Sequence, residues 1–247
     1  MKEPDAATPR SVEIDSSITP MIATLTFGTR LFARGLTRIR VEGAIDEIPR
    51  EGPVIIAANH ASNLDAVVLG SWLIPKIGRR FQWLGKKELF EWPVVGWIAA
   101  NGGVHPVDRG SADIEAYRLA KRILDEGHVL FVFPEGTRSR DGALQTARDG
   151  VASLALRTGA PIVPVGIAGS HRVWPRGQKL PRPGGRVTIR VGSPFRIAEA
   201  MPPDVDKQAA KGAATTIIMR RIAALLPESQ RGVYASEPAS HEVTERG

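Results

Sequence analysis

Five apolar residues, Val54 to Ala58, run into the polar stretch "NHASNLD" and then into a second apolar run. A short apolar run bounded by turn residues predicts a buried strand, and the longer run after the break predicts a helix. Read the same way, the chain predicts further strands at 38–42, 53–58, 80–85, 128–133, 161–167 and 186–191, where β-branched and apolar residues lie between Gly, Pro and Asn. Helices are expected at 64–74, at 112–125 with Ser111 as N-cap, near 143–158 and at 205–225. Strand and helix alternate, which predicts a single α/β domain with a largely parallel mixed sheet flanked by helices.

A different pattern precedes the first strand. Ile18, Ile22, Leu25, Phe32 and Leu36 fall near one helical face, while Arg30, Arg34 and Arg38 follow one another at spacing four along another. This predicts an N-terminal basic amphipathic helix over 18–37, suited either to a lipid interface or to packing on its own domain. Residues 1–17 and 228–247 are polar, Pro- and Ser-containing, and are expected to be disordered tails, leaving 38–227 as the folded domain.

Composition narrows the chemistry. A chain of 247 residues is ordinary for one α/β domain, and with no cysteine it has neither a disulfide framework nor a thiolate nucleophile. No signal-peptide pattern opens the chain and no apolar run reaches spanning length, so a cytoplasmic protein is expected. The net charge of +7 implies an anionic partner. Its distribution is uneven. No acid lies between Asp149 and Glu199, a window holding Arg157, Arg172, Arg176, Lys179, Arg182, Arg186, Arg190 and Arg196. A second acid-free window, Ile18 to Val41, holds Arg30, Arg34, Arg38 and Arg40. No nucleic-acid-binding module is recognisable, and two tyrosines offer little stacking surface.

In open α/β sheets functional groups gather beyond the carboxyl ends of the strands, where His60 is expected. The turn "NHASN" leads into a helix that Ser62 or Asn63 can cap, with Asp65 in its first turn. A carboxylate on one ring nitrogen fixes the tautomer and strengthens the other nitrogen as a general base. His-x4-Asp gains meaning from its company: "GKKELF" at 85–90, "GGVHPVDR" at 102–109, "FPEGTRSRDG" at 133–142 and "APIVPVGI" at 160–167. Over residues 35–195 this set resembles the glycerophospholipid acyltransferase family, specifically the bacterial 1-acyl-glycerol-3-phosphate acyltransferases.

The resemblance implies direct transfer of a fatty acyl group from a thioester to a lysophospholipid hydroxyl, with His60 and Asp65 as the catalytic pair. Consistently, the chain has no G-x-S-x-G elbow, Walker A loop, H-E-x-x-H or G-x-G-x-x-G. The resemblance implies substrate-binding roles for Lys86 (or its neighbour Lys87), Arg109, Glu135, Gly136, Thr137 and Arg138, of which the cations suit an acceptor phosphate. A backbone amide of the "PEGTR" loop suits the tetrahedral oxyanion. No metal or cofactor is implied beyond acyl-CoA or acyl carrier protein as donor. The expected partners are a lysophospholipid and an anionic membrane surface, with the protein peripheral on the inner face of the cell membrane. Where the family carries an aromatic and a lysine, this chain has Ala147, Arg148 and Asp149. Glycerol 3-phosphate, lyso-ornithine lipid and glycolipid acceptors therefore stay open, as do a hydrolase and a non-catalytic basic membrane-binding protein. His105 is read as structural or substrate-lining. Trp72, Trp83, Trp92 and Trp97 are read as core or an interface belt.

Overall fold

The computed structural model describes residues 14–15, 17–107, 112–206 and 208–235. Seven strands form one sheet: β1 (Arg38–Gly43), β2 (Val54–Ala58), β3 (Phe81–Lys86), β4 (Val104–Val107), β5 (Val129–Val132), β6 (Ile162–Ala168) and β7 (Arg186–Val191). The helices are α1 (Pro20–Leu36), α2 (Asp65–Ile77), α3 (Pro93–Asn101), α4 (Ala112–Asp125), α5 (Gly150–Thr158), α6 (Ser170–Val173), α7 (Ile197–Ala200) and α8 (Ala210–Ala224).

The spatial order is β1-β7-β6-β2-β5-β3-β4, parallel throughout except for the antiparallel β6–β7 pair. Central β2 is buried along its whole length, which is why "VIIAA" lacks alternation: both faces of an inner parallel strand are covered. Val54, Ile56 and Ala58 join the core beneath α1 and α2, whereas Ile55 and Ala57 join the core beneath α4, α5 and α8. The sheet is thus the middle of three layers, and its edge after β2 emerges between two packed helical faces.

The expected strands are present within a residue or two. β4 and α3 were not foreseen. β4 is a four-residue edge strand containing Pro106, whose missing N–H is harmless only at an edge. The helix expected from 143 starts at Gly150, because Leu144 and Gln145 give their N–H groups to Gln230 and Glu135 instead of to a helical ladder. The helix expected from 205 starts at Ala210. Residues 228–235 are not a loose tail: they form two short 3-10 turns, and buried Gln230 ties them to Gly142 and Gly169. At the other end Ile14 packs on the core and the Asp15 carbonyl accepts from Gln82. The expected cap Ser111 lies outside the described residues.

α1 is capped by Thr19, with Pro20 opening the helix where its missing N–H costs nothing. It packs on its own domain, one of the two expected settings, with Ile18, Ile22 and Leu36 on the core but Phe32 of the expected apolar face left exposed. Ile22 and the small residues Thr26, Thr29 and Ala33 face α2, letting the two helices approach, and Thr29 shares a 2.6 Å hydrogen bond with Ser71. Arg30 donates to the Ser71 carbonyl and, with Arg34, lies over the Trp72 ring. Arg30 and the still exposed Arg34 thus lie against α2, Arg38 is the exposed first residue of β1, and the outer face of α1 carries Met21, Phe27, Leu31 and Phe32. Part of the basic window between Asp149 and Glu199 is also internally committed, since Arg190 pairs with Glu42 at 2.7 Å.

Candidate active site

Between β2 and α2 the chain folds back on a single carboxylate. Asp65 Oδ2 accepts from the N–H groups of Ala61 and Ser62, each at 2.7 Å, and lies 2.9 Å from His60 Nδ1. A carboxylate oxygen only accepts, so this network assigns the ring proton to Nδ1 and leaves a lone pair on Nε2. Asp65 is fully buried while the His60 ring is 20 % exposed, so the base reaches the surface and its partner does not. The negative end of the pair sits in the first turn of α2, where the helix N-terminus favours it. Ser62 does not cap α2 through its first turn as expected. Its hydroxyl accepts from Leu64 N–H at 3.0 Å and donates to the Trp174 carbonyl at 2.7 Å, an orienting role that leaves no free nucleophile.

The loop after β5 grips the same histidine. The Phe133 ring stacks on the imidazole, with centroids 3.9 Å apart and planes 10° from parallel. Glu135 Oε1 accepts from the His60 N–H at 2.8 Å, and Ser139 N–H donates to the His60 carbonyl at 2.7 Å. Ring, amide and carbonyl of His60 are therefore all fixed by one loop. From the other side Asn59 brackets β6, accepting from Ile167 N–H and donating to the Ile167 carbonyl. Phe133 and Ser139 lie inside the "FPEGTRSRDG" motif and Asn59 beside His60, yet sequence reasoning assigned them nothing, because their roles run through backbone groups or ring stacking.

Glu135 ties the loop down. Its second oxygen accepts from Gln145 N–H at 2.9 Å. Burial pushes its carboxyl up to about 7, against the two N–H donors that favour the charged form, and Asp65 and Asp141 reinforce burial. A folded value above the ordinary carboxylate value means that Glu135 stabilises the fold most at low pH. That contribution falls as pH rises from about 4.5 toward 7. The stability of the wild type relative to Glu135→Gln is therefore expected to be higher at pH 5 than at pH 8 by about 1 to 3 kcal/mol, read by urea unfolding. An offset that stays constant with pH would refute this assignment.

Gly136 adopts the left-handed conformation, φ +67°, and a Cβ there would meet the Arg148 side chain at 3.3 Å. Glycine thus supplies both the turn and room for an arginine against the loop. Thr137 and Arg138 follow, both half-buried. Burial, then the charge of Arg176, press the Arg138 guanidinium below its ordinary value, while Asp65 opposes them. Arg176 donates to the Arg138 carbonyl at 2.7 Å, which brings a residue of the first basic window to the motif loop. Among the described residues neither guanidinium has a carboxylate at ion-pairing distance. Lys86 and Lys87 are exposed at the end of β3, two strands from β2 and roughly 10 Å away laterally. Arg109 lies outside the described residues. His105 is remote from this cluster: it is buried on β4, bonded to Gln82 at 2.8 Å, and burial lowers its pKa, which bears out a structural role.

A mostly parallel sheet with a His-x4-Asp pair and an E-G-T-R loop converging at its carboxyl edge defines the acyltransferase class. The chain belongs to that family: the family model described as Acyltransferase matches residues 38–168, just over half of the chain. It is 29% identical over 165 residues to a chloroplastic 1-acyl-sn-glycerol-3-phosphate acyltransferase of Arabidopsis thaliana, covering 66% of this chain and 45% of that one. It is 35% identical over 157 residues to a lyso-ornithine lipid O-acyltransferase of Pseudomonas aeruginosa, covering 62% and 57%. The solved 1-acyl-sn-glycerophosphate acyltransferase PlsC of Thermotoga maritima superposes with a TM-score of 0.66 at 25% identity, covering 83% of this chain and 79% of that one. The chain spans about half the length of the curated relatives it matches.

Proposed function

We propose that this protein transfers a fatty acyl group from an acyl thioester, carried by coenzyme A or acyl carrier protein, to the free hydroxyl of 1-acyl-sn-glycerol 3-phosphate. The observation that carries the reading is His60, its Nδ1 held by buried Asp65 and its backbone by Glu135 and Ser139. In this reading Nε2 takes the proton of the acceptor hydroxyl as the oxygen attacks the thioester carbonyl. Asp65 stabilises the imidazolium that forms, and the proton then goes to the departing thiolate. Because the base is already oriented, little reorganisation is needed at the moment of attack.

The acceptor phosphate is placed at Arg138, with Arg176 beside it. Arg138, with Arg176 donating to its carbonyl and neither guanidinium at ion-pairing distance from a carboxylate among the described residues, suits a doubly charged phosphomonoester better than a neutral headgroup. Arg109 and Lys86 are proposed as further phosphate contacts on the strength of the family resemblance alone. The identity to a lyso-ornithine lipid enzyme supports a second reading, in which the same base acylates a zwitterionic headgroup. Side-by-side turnover of one thioester with 1-acyl-glycerol 3-phosphate, glycerol 3-phosphate and lyso-ornithine lipid separates the two. The phosphate reading predicts a kcat/KM at least about tenfold higher for the lysophosphatidic acceptor, the worth of one charge-assisted contact. A preference for lyso-ornithine lipid would reverse the assignment.

Such an acceptor resides in a bilayer. Among the described residues no helix is long and apolar enough to cross a membrane. We place the protein peripherally on an anionic membrane surface at the inner face of the cell membrane, with the exposed apolar residues Met21, Phe27, Leu31 and Phe32 of α1 against lipid and the net charge of +7 attracting it.

A further inference from the structure

The four clustered tryptophans divide sharply. Trp72 and Trp83 are core residues, 6% and 8% exposed, whereas Trp92 and Trp97 are 67% and 55% exposed. The two exposed rings belong to one short segment that also exposes Leu89, Val94 and Val95. The cause is local. Gly96 packs so closely on the preceding turn that a Cβ there would lie 2.6 Å from the Phe90 carbonyl oxygen. Gly96 and Ala99 take the buried face of α3, which leaves the larger apolar side chains outside. A helix whose small residues face inward and whose tryptophans face outward contributes little to its own core.

Position gives this surface a use. The segment begins three residues after Lys86, the carboxyl end of β3, and β2, β5 and β3 are parallel. It therefore starts at the same edge of the sheet as His60. α3 also packs against α1, whose outward face likewise exposes large apolar side chains at Phe27 and Leu31, with exposed charges beside the two patches, Arg34 on α1 and Glu91 next to Trp92. We propose that the Leu89–Trp97 segment is a second lipid contact, inserting Trp92 and Trp97 at the membrane interface beside the mouth of the site.

Three features select lipid over a second copy of the chain. Indole rings carry a large apolar area with one N–H donor, the combination that partitions to the boundary between acyl chains and headgroups. The adjoining faces of α1 and α3 make a surface built from two elements, and exposed Lys86 and Lys87 stand at its end, suited to headgroup phosphates. The third feature rests on the function proposed above: the acceptor is itself an amphiphile that has to pass from lipid to His60.

The test uses the full chain with vesicles of mixed phosphatidylcholine and phosphatidylglycerol, some made with brominated acyl chains. Tryptophan emission is expected to shift to shorter wavelength and to be quenched by bromine. Salt between roughly 0.1 M and 0.5 M should weaken the partition only in part, by screening the net charge and the lysines, while the shift and quenching of the bound protein persist because an apolar contact is not screened. The variant Trp92→Ala/Trp97→Ala should lose the shift, and its vesicle partition should fall about tenfold or more. Its turnover on a short-chain, water-soluble acceptor should stay within about twofold, since neither ring touches the residues that hold His60. Wild-type emission untouched by brominated lipid would overturn the proposal. So would a shift that appears without vesicles and grows with protein concentration, because a second copy would then cover the surface. Quenching without any acyl transfer would uphold the lipid contact and remove the function assigned above.

Discussion

Replacing His60 by alanine is expected to lower acyl transfer by about 10² to 10⁴-fold, the usual worth of a positioned general base. The fold should survive. The imidazole makes one ring stack and one side-chain hydrogen bond, while the contacts that fix the loop run through the His60 backbone, which alanine retains. Asp65→Asn gives a sharper comparison. All three donors converge on Oδ2, and Oδ1 has no partner among the described residues. An asparagine can keep its carbonyl oxygen at the Oδ2 position and turn its NH₂ to the unused side. The geometry then stays and the charge goes, so the loss should be smaller, about ten- to a thousandfold. Equal melting temperatures with near-normal turnover in His60→Ala would sink the mechanism.

Arg138→Ala is expected to lower kcat/KM for the phosphorylated acceptor by about ten- to a hundredfold, because a charge-assisted contact contributes roughly 1.5 to 3 kcal/mol. The structure sharpens this expectation. Glu135 is taken up by two backbone N–H groups, so it does not brace the Arg138 guanidinium, and Arg176 reaches only the Arg138 carbonyl. Removing the side chain should therefore leave the loop standing, and thioester hydrolysis by water should change little. Arg138→Lys should recover only part of the transfer, since an ammonium does not reproduce the two-pronged guanidinium contact. Hydrolysis and transfer falling together would mean that the side chain supports the loop after all, and the phosphate would have to move to Lys86 and Arg109.

The catalytic pair was legible because it needs residue types at a fixed spacing on a strand-to-helix turn. What holds the pair was not. Asn59, Ser139 and Glu135 act on backbone groups of residues up to 108 positions away, and no spacing encodes such contacts. The helix α1 was legible and packing on its own domain was one of its two expected settings, but which residues it buries was not. Arginines at spacing four look solvent-facing, but Thr26, Thr29 and Ala33 beside them are small enough to let α2 close in, and long arginine stems then reach Ser71 and Trp72. α3 escaped notice because its pattern is inverted, with glycine and alanine inside and tryptophan and valine outside. Arg176 carried one signal, the long acid-free window, though that window also contains Arg190, which the fold spends on Glu42.

The most direct measurement follows one acyl thioester with mass detection of both products, in the presence and absence of 1-acyl-sn-glycerol 3-phosphate, for wild type and for His60→Ala. The account predicts that wild type with the lysolipid forms phosphatidic acid and little free acid, and that the His60→Ala variant, equally folded, loses this product by at least about a hundredfold. Release of free fatty acid alone, whether or not the lysolipid is present, or phosphatidic acid formed at the same rate by both proteins, would contradict it.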